Sequence, residues 1–186
     1  NIPFPDINLG AGGGTQAEQT AAIMIGYEKV INEKKPDLCL VVGDVTSTMA
    51  CSIVAQKLQV PVAHVEAGIR SGDWTMPEEK YRTTADHLSD YIYAYLDEYK
   101  NQGIAEGIPS QNIIVTGNPI VDVLEEYFLS NKLRMPTIEL KNLLINKYAI
   151  MDEPFYLMTC HRRENIENES AIRRILSLAE NLDSKV

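Results

Sequence analysis

Three observations predict an α/β fold built on a doubly wound parallel sheet. Short continuous apolar runs alternate along the chain with segments whose apolar residues recur at helical spacing. The runs, Leu38–Val42, Val62–Val65 and Ile113–Val115, are what parallel strands covered on both faces look like. Each run stops at glycine or charge: Gly43-Asp44 after the first, Glu66 and Gly68 after the second, Gly117-Asn118-Pro119 after the third.

The elements follow in order. Residues 1–14 are turn-rich. The Gly12-Gly13-Gly14 cluster has no strand running into it, so it reads as a loop rather than a phosphate cradle. Thr15 to Asn32 reads as a helix, with Thr15 and Glu18 spaced as a capping box. After the strand Leu38–Val42, Thr46–Leu58 is a second helix, and the strand Val62–Val65 follows. Pro77 opens a third helix, with Glu78 and Glu79 in the first turn, where the helix dipole favours negative charge. Glu78 and Arg82 are four apart and are expected to pair. Tyr91–Tyr95 is a strand, Glu98–Glu106 a helix, and Ile113–Val115 a strand. Ile120–Phe128 is a short helix, and Ser130–Thr137 a polar connector. Leu140–Tyr148 is helical, Phe155–Cys160 a strand, and Ile166–Leu182 a final helix.

With 186 residues, 45% of them hydrophobic and 23% charged, the composition is that of a globular protein. A net charge of −9 argues against a nucleic-acid-binding surface but leaves room for a local basic pocket. No apolar run has the length of a membrane span, and Asn1–Pro5 lacks the basic and apolar regions of a secretory signal. Cys39, Cys51 and Cys160 lie in apolar contexts, suggesting buried thiols in a reducing, cytoplasmic setting. No C-x-x-C pair is present, and no metal site is expected. Both chain ends have the look of cuts, so the chain is expected to be a piece of a longer protein.

The chemistry gathers where strands end, because ligands of open parallel sheets bind beyond the carboxyl ends. Asp44 and Glu66 end two strands, and His161 follows the strand near the C-terminus. Carboxylates brought together can have their pKa values driven apart, one serving as acid and another as base. Arg162 and Arg163 beside His161 suit an oxyanion such as phosphate. Plainer readings stand beside these. Asp44 fits a helix cap, Arg162 and Arg163 fit a solvated turn, His64 fits a satisfied core histidine, and His87 a structural or exposed one. These residues point to an anionic sugar or nucleotide ligand and acid–base chemistry.

Five segments add a family resemblance. P-D-L-C-L-V-V-G-D-V-T-S-T (36–48), H-V-E-A-G-I-R-S (64–71), M-P-E-E-K-Y-R (76–82), V-T-G-N (115–118) and H-R-R-E-N (161–165) stand in this order. Together they resemble the non-hydrolysing UDP-N-acetylglucosamine 2-epimerase family, over nearly the whole chain. The resemblance implies a glycosyltransferase-B-like architecture of two Rossmann-like domains facing a cleft for a UDP-sugar. It implies inversion at sugar C2, by elimination of UDP to 2-acetamidoglucal and re-addition, with no metal or cofactor. Asp44, Glu66 and Glu78 match the family's catalytic carboxylates, and His161 matches the histidine beside the diphosphate. Arg82 matches an arginine that holds a carboxylate or phosphate, and Arg162 would assist His161. A cytoplasmic homodimer is implied for the whole protein.

Departures qualify the match. Tyr81 stands where most members have asparagine, which bears on the sugar recognised. The family's opening G-T-R-P-E loop has no counterpart here, and members continue well beyond H-R-R-E-N. The expected division is therefore an incomplete first domain at 1–118 and the start of a second at 119–186, the piece being inactive by itself. Two alternatives remain from the sequence: a glycosyltransferase of the same architecture, and a non-catalytic, truncated nucleotide-sugar-binding paralogue.

Overall fold

The computed structural model describes residues 3–126, 142, 145–146, 156, 158–160, 165 and 168–182. The chain divides into two units, Asn1–Asp122 and Val123–Val186.

The first unit begins with α1 (Gln16–Lys34), entered through the expected capping box. Thr15 Oγ1 accepts from the Glu18 N–H at 3.2 Å, and Glu18 Oε2 accepts from the Thr15 N–H at 2.7 Å. Then come β1 (Cys39–Val42), α2 (Thr46–Lys57), β2 (Val62–Ala67) and α3 (Pro77–Leu88). They are followed by β3 (Tyr91–Ala94), α4 (Asp97–Ala105), a 3-10 turn at Ser110–Asn112, β4 (Ile113–Val115) and α5 (Pro119–Leu124). Pro77 sits at the start of α3, where its missing N–H costs nothing. In the second unit, α6 (Glu169–Glu180) is capped by Asn168, whose side chain accepts from the N–H groups of Ser170 and Ala171.

The four strands form one parallel sheet in the order β1-β2-β3-β4, a Rossmann-like arrangement with flanking helices. Cys39 pairs with Val62 and His64 with Ile92, so the short apolar runs lie in register side by side. One cluster of the core joins Ile31 of α1, Cys39 and Val41 of β1, Val54 and Ala55 of α2, and Val62 of β2. A second joins Ala67, Ile92, Ala94, Ile108 and Ile113 toward the β3–β4 end of the sheet. Among the described residues no helix is long and apolar enough to cross a membrane.

Three expectations need correction. The strand β1 is not covered on both faces among the described residues: Cys39 and Val41 are buried, while Leu40 is 59% and Val42 52% exposed. A parallel strand is a continuous apolar run when two layers cover it, but its helix contacts here involve α2 on the side of the core cluster. The strand expected over 155–160 is also absent from the described part of that span. Tyr156, Met158, Thr159 and Cys160 carry no regular structure. A strand exists only through a neighbour's hydrogen bonds, and no described segment after β4 pairs with this one. Finally, the thiols differ. Cys39 is buried and takes a hydrogen bond from the Tyr27 hydroxyl at 2.9 Å, Cys51 is half-buried, and Cys160 is exposed. Burial, together with nearby Cys39, pushes the Cys51 thiol up to about 11, so it is inert.

Two glycines of the loop after β2 test its packing. Both are left-handed, Gly68 at φ 77° and Gly72 at φ 73°. A Cβ on Gly68 would stand 2.5 Å from the Tyr99 carbonyl oxygen of α4, whereas one on Gly72 would meet nothing within 4 Å. Gly72→Ala is expected to lower the unfolding free energy by about 1 kcal/mol from backbone strain alone. Gly68→Ala should lose about 3 kcal/mol or more, because overpacking against backbone adds to that strain. Urea unfolding of the two variants checks this; equal losses would mean that α4 does not press on the loop.

Candidate functional site

The carboxyl ends of β1 and β2 are shaped by unusual backbone. Gly43 turns the chain at φ 73° directly after β1, and this presents Asp44. Glu66 is a non-glycine residue at φ 69°, a conformation costing about 1–2 kcal/mol for an L-residue. It lies at a register shift between Val65 and Ala67 in the β2–β3 pairing. Such a bulge re-aims one side chain without ending the strand. The Glu66 carboxylate consequently points toward the other strand end, with Oε2 3.8 Å from where a Cβ on Gly43 would stand. Tyr95 is close by: burial, and secondly the charge of Glu66, push its hydroxyl up.

Asp44 does not cap α2. That role falls to Val45, which offers no side-chain acceptor. Asp44 instead forms an ion pair with Arg82 of α3. Arg82 also lies 3.5 Å from Glu79 through Nη1. The pairing of Arg82 with Glu78 expected from four-residue spacing is replaced by this one, because Glu79 is on the inward face of α3. Glu78 is exposed in the first turn. Glu79 is only 3% exposed and accepts from the Ser71 N–H, the Gly72 N–H and the Ser71 hydroxyl, each at 3.0 Å. Burial pushes its carboxyl up. The two backbone donors, the hydroxyl and Arg82 outweigh that and hold it below the usual carboxylate range.

A second set of charges lies behind the first. Arg70 grips Glu106 with two nitrogens, Nε at 2.9 Å and Nη2 at 2.6 Å. Its Nη1 reaches Asp86 Oδ2 at 2.7 Å. Asp86 is fully buried, and it also accepts from the Gly68 N–H at 3.1 Å. For Glu106, burial raises the carboxyl, but Arg70, Gln102 and His87 together lower it. His64 is fully buried on β2 between Asp86 and the Gly43 carbonyl, as its core reading anticipated. His87 is exposed and 3.4 Å from Glu106.

Of the six residues singled out by sequence, the structure brings Asp44, Glu66 and Arg82 to one end of the sheet. Glu78 opens the adjacent helix with its side chain outside this set of contacts. His161 and Arg162 lie outside the described residues. Sequence reasoning missed Glu79 and Asp86 as organisers, although a signal existed. Glu79, Arg82 and Asp86 recur at three- and four-residue steps, one stripe of a helix. Chemically, the strand ends offer one carboxylate tied to a guanidinium and another with no ion pair among the described residues.

The family model described as UDP-N-acetylglucosamine 2-epimerase matches residues 1–186. The UDP-N-acetylglucosamine 2-epimerase of Methanocaldococcus jannaschii is 40% identical over 179 residues, covering 95% of this chain and 47% of that one. A UDP-2,3-diacetamido-2,3-dideoxy-D-glucuronate 2-epimerase of Pseudomonas aeruginosa is 34% identical over 179 residues, covering 94% of this chain and 47% of its own. The crystal structure of the M. jannaschii enzyme in complex with UDP-GlcNAc and UDP superposes with a TM-score of 0.83 at 37% identity. It covers 98% of this chain and 50% of that chain. This chain therefore spans about half the length of the curated relatives it matches.

Glu79 gives the site a measurable acid limb. Its lowered value means the unfolded state binds the proton first as pH falls. Its contribution is thus complete above the ordinary unfolded glutamate value of roughly 4.3 and fades as pH drops through the lowered folded value. Glu79→Gln would set an amide donor against the Ser71 and Gly72 N–H groups. It is expected to lose about 1–3 kcal/mol at neutral pH and to flatten the loss of stability on acidification. Urea unfolding across pH checks both; an acid limb as steep as in the wild type would exclude Glu79 as its source.

Proposed function

Since this chain belongs to the UDP-N-acetylglucosamine 2-epimerase family, we propose that the whole protein inverts C2 of a UDP-2-acetamido sugar without hydrolysing it. The observation that carries the reading is the convergence of Asp44 and Glu66 at adjacent parallel strand ends, one neutralised by Arg82 and the other without an ion pair among the described residues. A base removes the C2 proton as the C1–oxygen bond to UDP breaks, and a C1–C2 double bond forms. A proton then returns to C2 from the opposite face as the UDP oxygen closes again on C1. No atom is gained or lost, and no redox step occurs.

Glu66 is read as the base, because the bulge aims its carboxylate at the Gly43 turn and it makes no ion pair among the described residues, whereas Asp44 is held by Arg82. Asp44 and Glu78 supply the candidates for protonation from the other face. His161 and Arg162, matched by motif to the diphosphate side, would offset charge on departing UDP. We read the whole protein as a cytoplasmic homodimer, in line with the family resemblance and the free thiols, with the division near residue 118 separating two Rossmann-like domains. UDP-GlcNAc is the first substrate to try. The diacetamido uronic acid is the second, in line with the P. aeruginosa relative.

Proton NMR of UDP-GlcNAc in deuterated water, with the full-length protein, tests this reading. Deuterium at C2 together with a UDP-ManNAc signal is the expected result. Sugar transfer only in the presence of an acceptor, without C2 exchange, would place the protein among glycosyltransferases instead. Glu66→Gln should slow C2 exchange by about 100-fold or more while the protein stays folded, within the range for loss of a general base.

A further inference from the structure

His64 has no exposed surface, and both of its ring nitrogens face oxygen. Nε2 lies 2.8 Å from the Gly43 carbonyl, which can only accept, so Nε2 carries a proton. Nδ1 lies 2.7 Å from Asp86 Oδ1. The other oxygen of Asp86 accepts from the Gly68 N–H and from the Arg70 guanidinium, which keeps Asp86 a carboxylate. The Nδ1–Oδ1 contact is a second hydrogen bond, so the ring bridges the strand-end turn and α3.

The charged groups around it come from three further elements: Asp86 from α3, Arg70 from the loop after β2, and Glu106 at the end of α4, against which His87 also lies. Asp86 and Glu106 share Arg70, and His64 hydrogen-bonds the fully buried one of the two. Such a group is not the cheapest way to fill a strand interior. An apolar residue of similar volume packs without desolvating charge, and replacing a buried ion pair by apolar residues is often neutral or stabilising. What an apolar residue could not do is hold backbone. The Gly43 carbonyl immediately precedes Asp44, and the Gly68 N–H lies two residues after Glu66. The pair takes one hydrogen bond to each turn.

We propose that His64 and Asp86 are positioning residues for the reaction. The His64–Asp86 pair ties the Gly43–Asp44 turn and the Glu66–Gly68 turn to α3, and so fixes the two strand-end acids relative to each other. The inference rests on the reading of Asp44 and Glu66 as the reacting acids.

The test uses the full-length protein with nitrogen-15 in its histidines. Long-range proton–nitrogen spectra in neutral buffer are expected to show Nε2 of one histidine protonated, with that signal lost in His64→Gln. An unprotonated Nε2 at His64 overturns the proposal. In His64→Gln, kcat for C2 deuterium exchange should fall about 10-fold or more, a misplacement effect, while KM for UDP-GlcNAc stays within about threefold. Amide hydrogen exchange should quicken at Asp44 and Gly68 and stay unchanged in α1. Unchanged kcat, or unchanged exchange at both turns, overturns it as well. Should His64→Gln fail to fold, His64→Asn, which retains a donor toward Asp86, supplies the kinetics and the amide exchange. If the wild-type protein shows no C2 exchange, the epimerase reading fails, and the ring spectrum and amide exchange still decide whether the pair holds the two turns.

Discussion

The Asp86 carboxylate has no exposed surface, and the strand-end geometry depends on how its burial is compensated. Removing a carboxylate from water costs several kcal/mol even after relaxation, so it persists only with donors around it. Three are present: His64 from β2, the Gly68 N–H from the loop and Arg70 beyond it. Each comes from a different point along residues 64–70, so one side chain of α3 fixes the whole exit of β2. Arg70 is then held in turn by Glu106 at the end of α4. Loop position, helix position and strand end are thus parts of one constraint, and loosening any donor would leave charge stranded.

The same helix supplies the front of the site. Glu79, Arg82 and Asp86 form one stripe of α3, and each serves a different segment. Glu79 holds Ser71 and Gly72, Arg82 holds Asp44, and Asp86 holds His64 and Gly68. This stripe commits both arginines of the first unit to carboxylates. A UDP-sugar brings a diphosphate, whose charge needs cations of its own. Among the described residues of this unit no arginine is uncommitted.

Much of the fold was legible because its signals are local. The capping box at Thr15–Glu18, the proline opening α3 and the short apolar runs of β1, β2 and β4 each follow from a few adjacent residues. What escaped was set by partners distant in sequence. Helical spacing allowed both Glu78 and Glu79 a route to Arg82, and only the direction of the inward face decides between them. The uncovered side of Leu40 and Val42 escaped for a similar reason: an apolar run reports what a strand can be covered by, not which layers are present. The segment 155–160 carries an apolar run without a described partner strand, and residue pattern alone cannot supply one. Asp44 and Glu66 were singled out from charge at strand ends and Arg82 from its spacing on the helix, whereas Asp86 was hidden mid-helix.

Glu66 shows why local rules fail where they do. A glycine would take φ 69° without strain, and Gly43, at the corresponding turn of the neighbouring strand, adopts φ 73°. Glutamate there costs about 1–2 kcal/mol of backbone strain, and nothing in the core gains from its carboxylate, which makes no ion pair among the described residues. The strain is tolerated because the segment on either side is over-determined. Val65 accepts the Gly43 N–H at 3.0 Å, and Gly68 is pinned between Asp86 and the Tyr99 carbonyl. A residue kept against its own backbone preference, on a bulge that aims it at the Gly43 turn, is not explained by stability. Its explanation is in what the carboxylate can reach, and the buried pair behind it is what keeps that reach fixed.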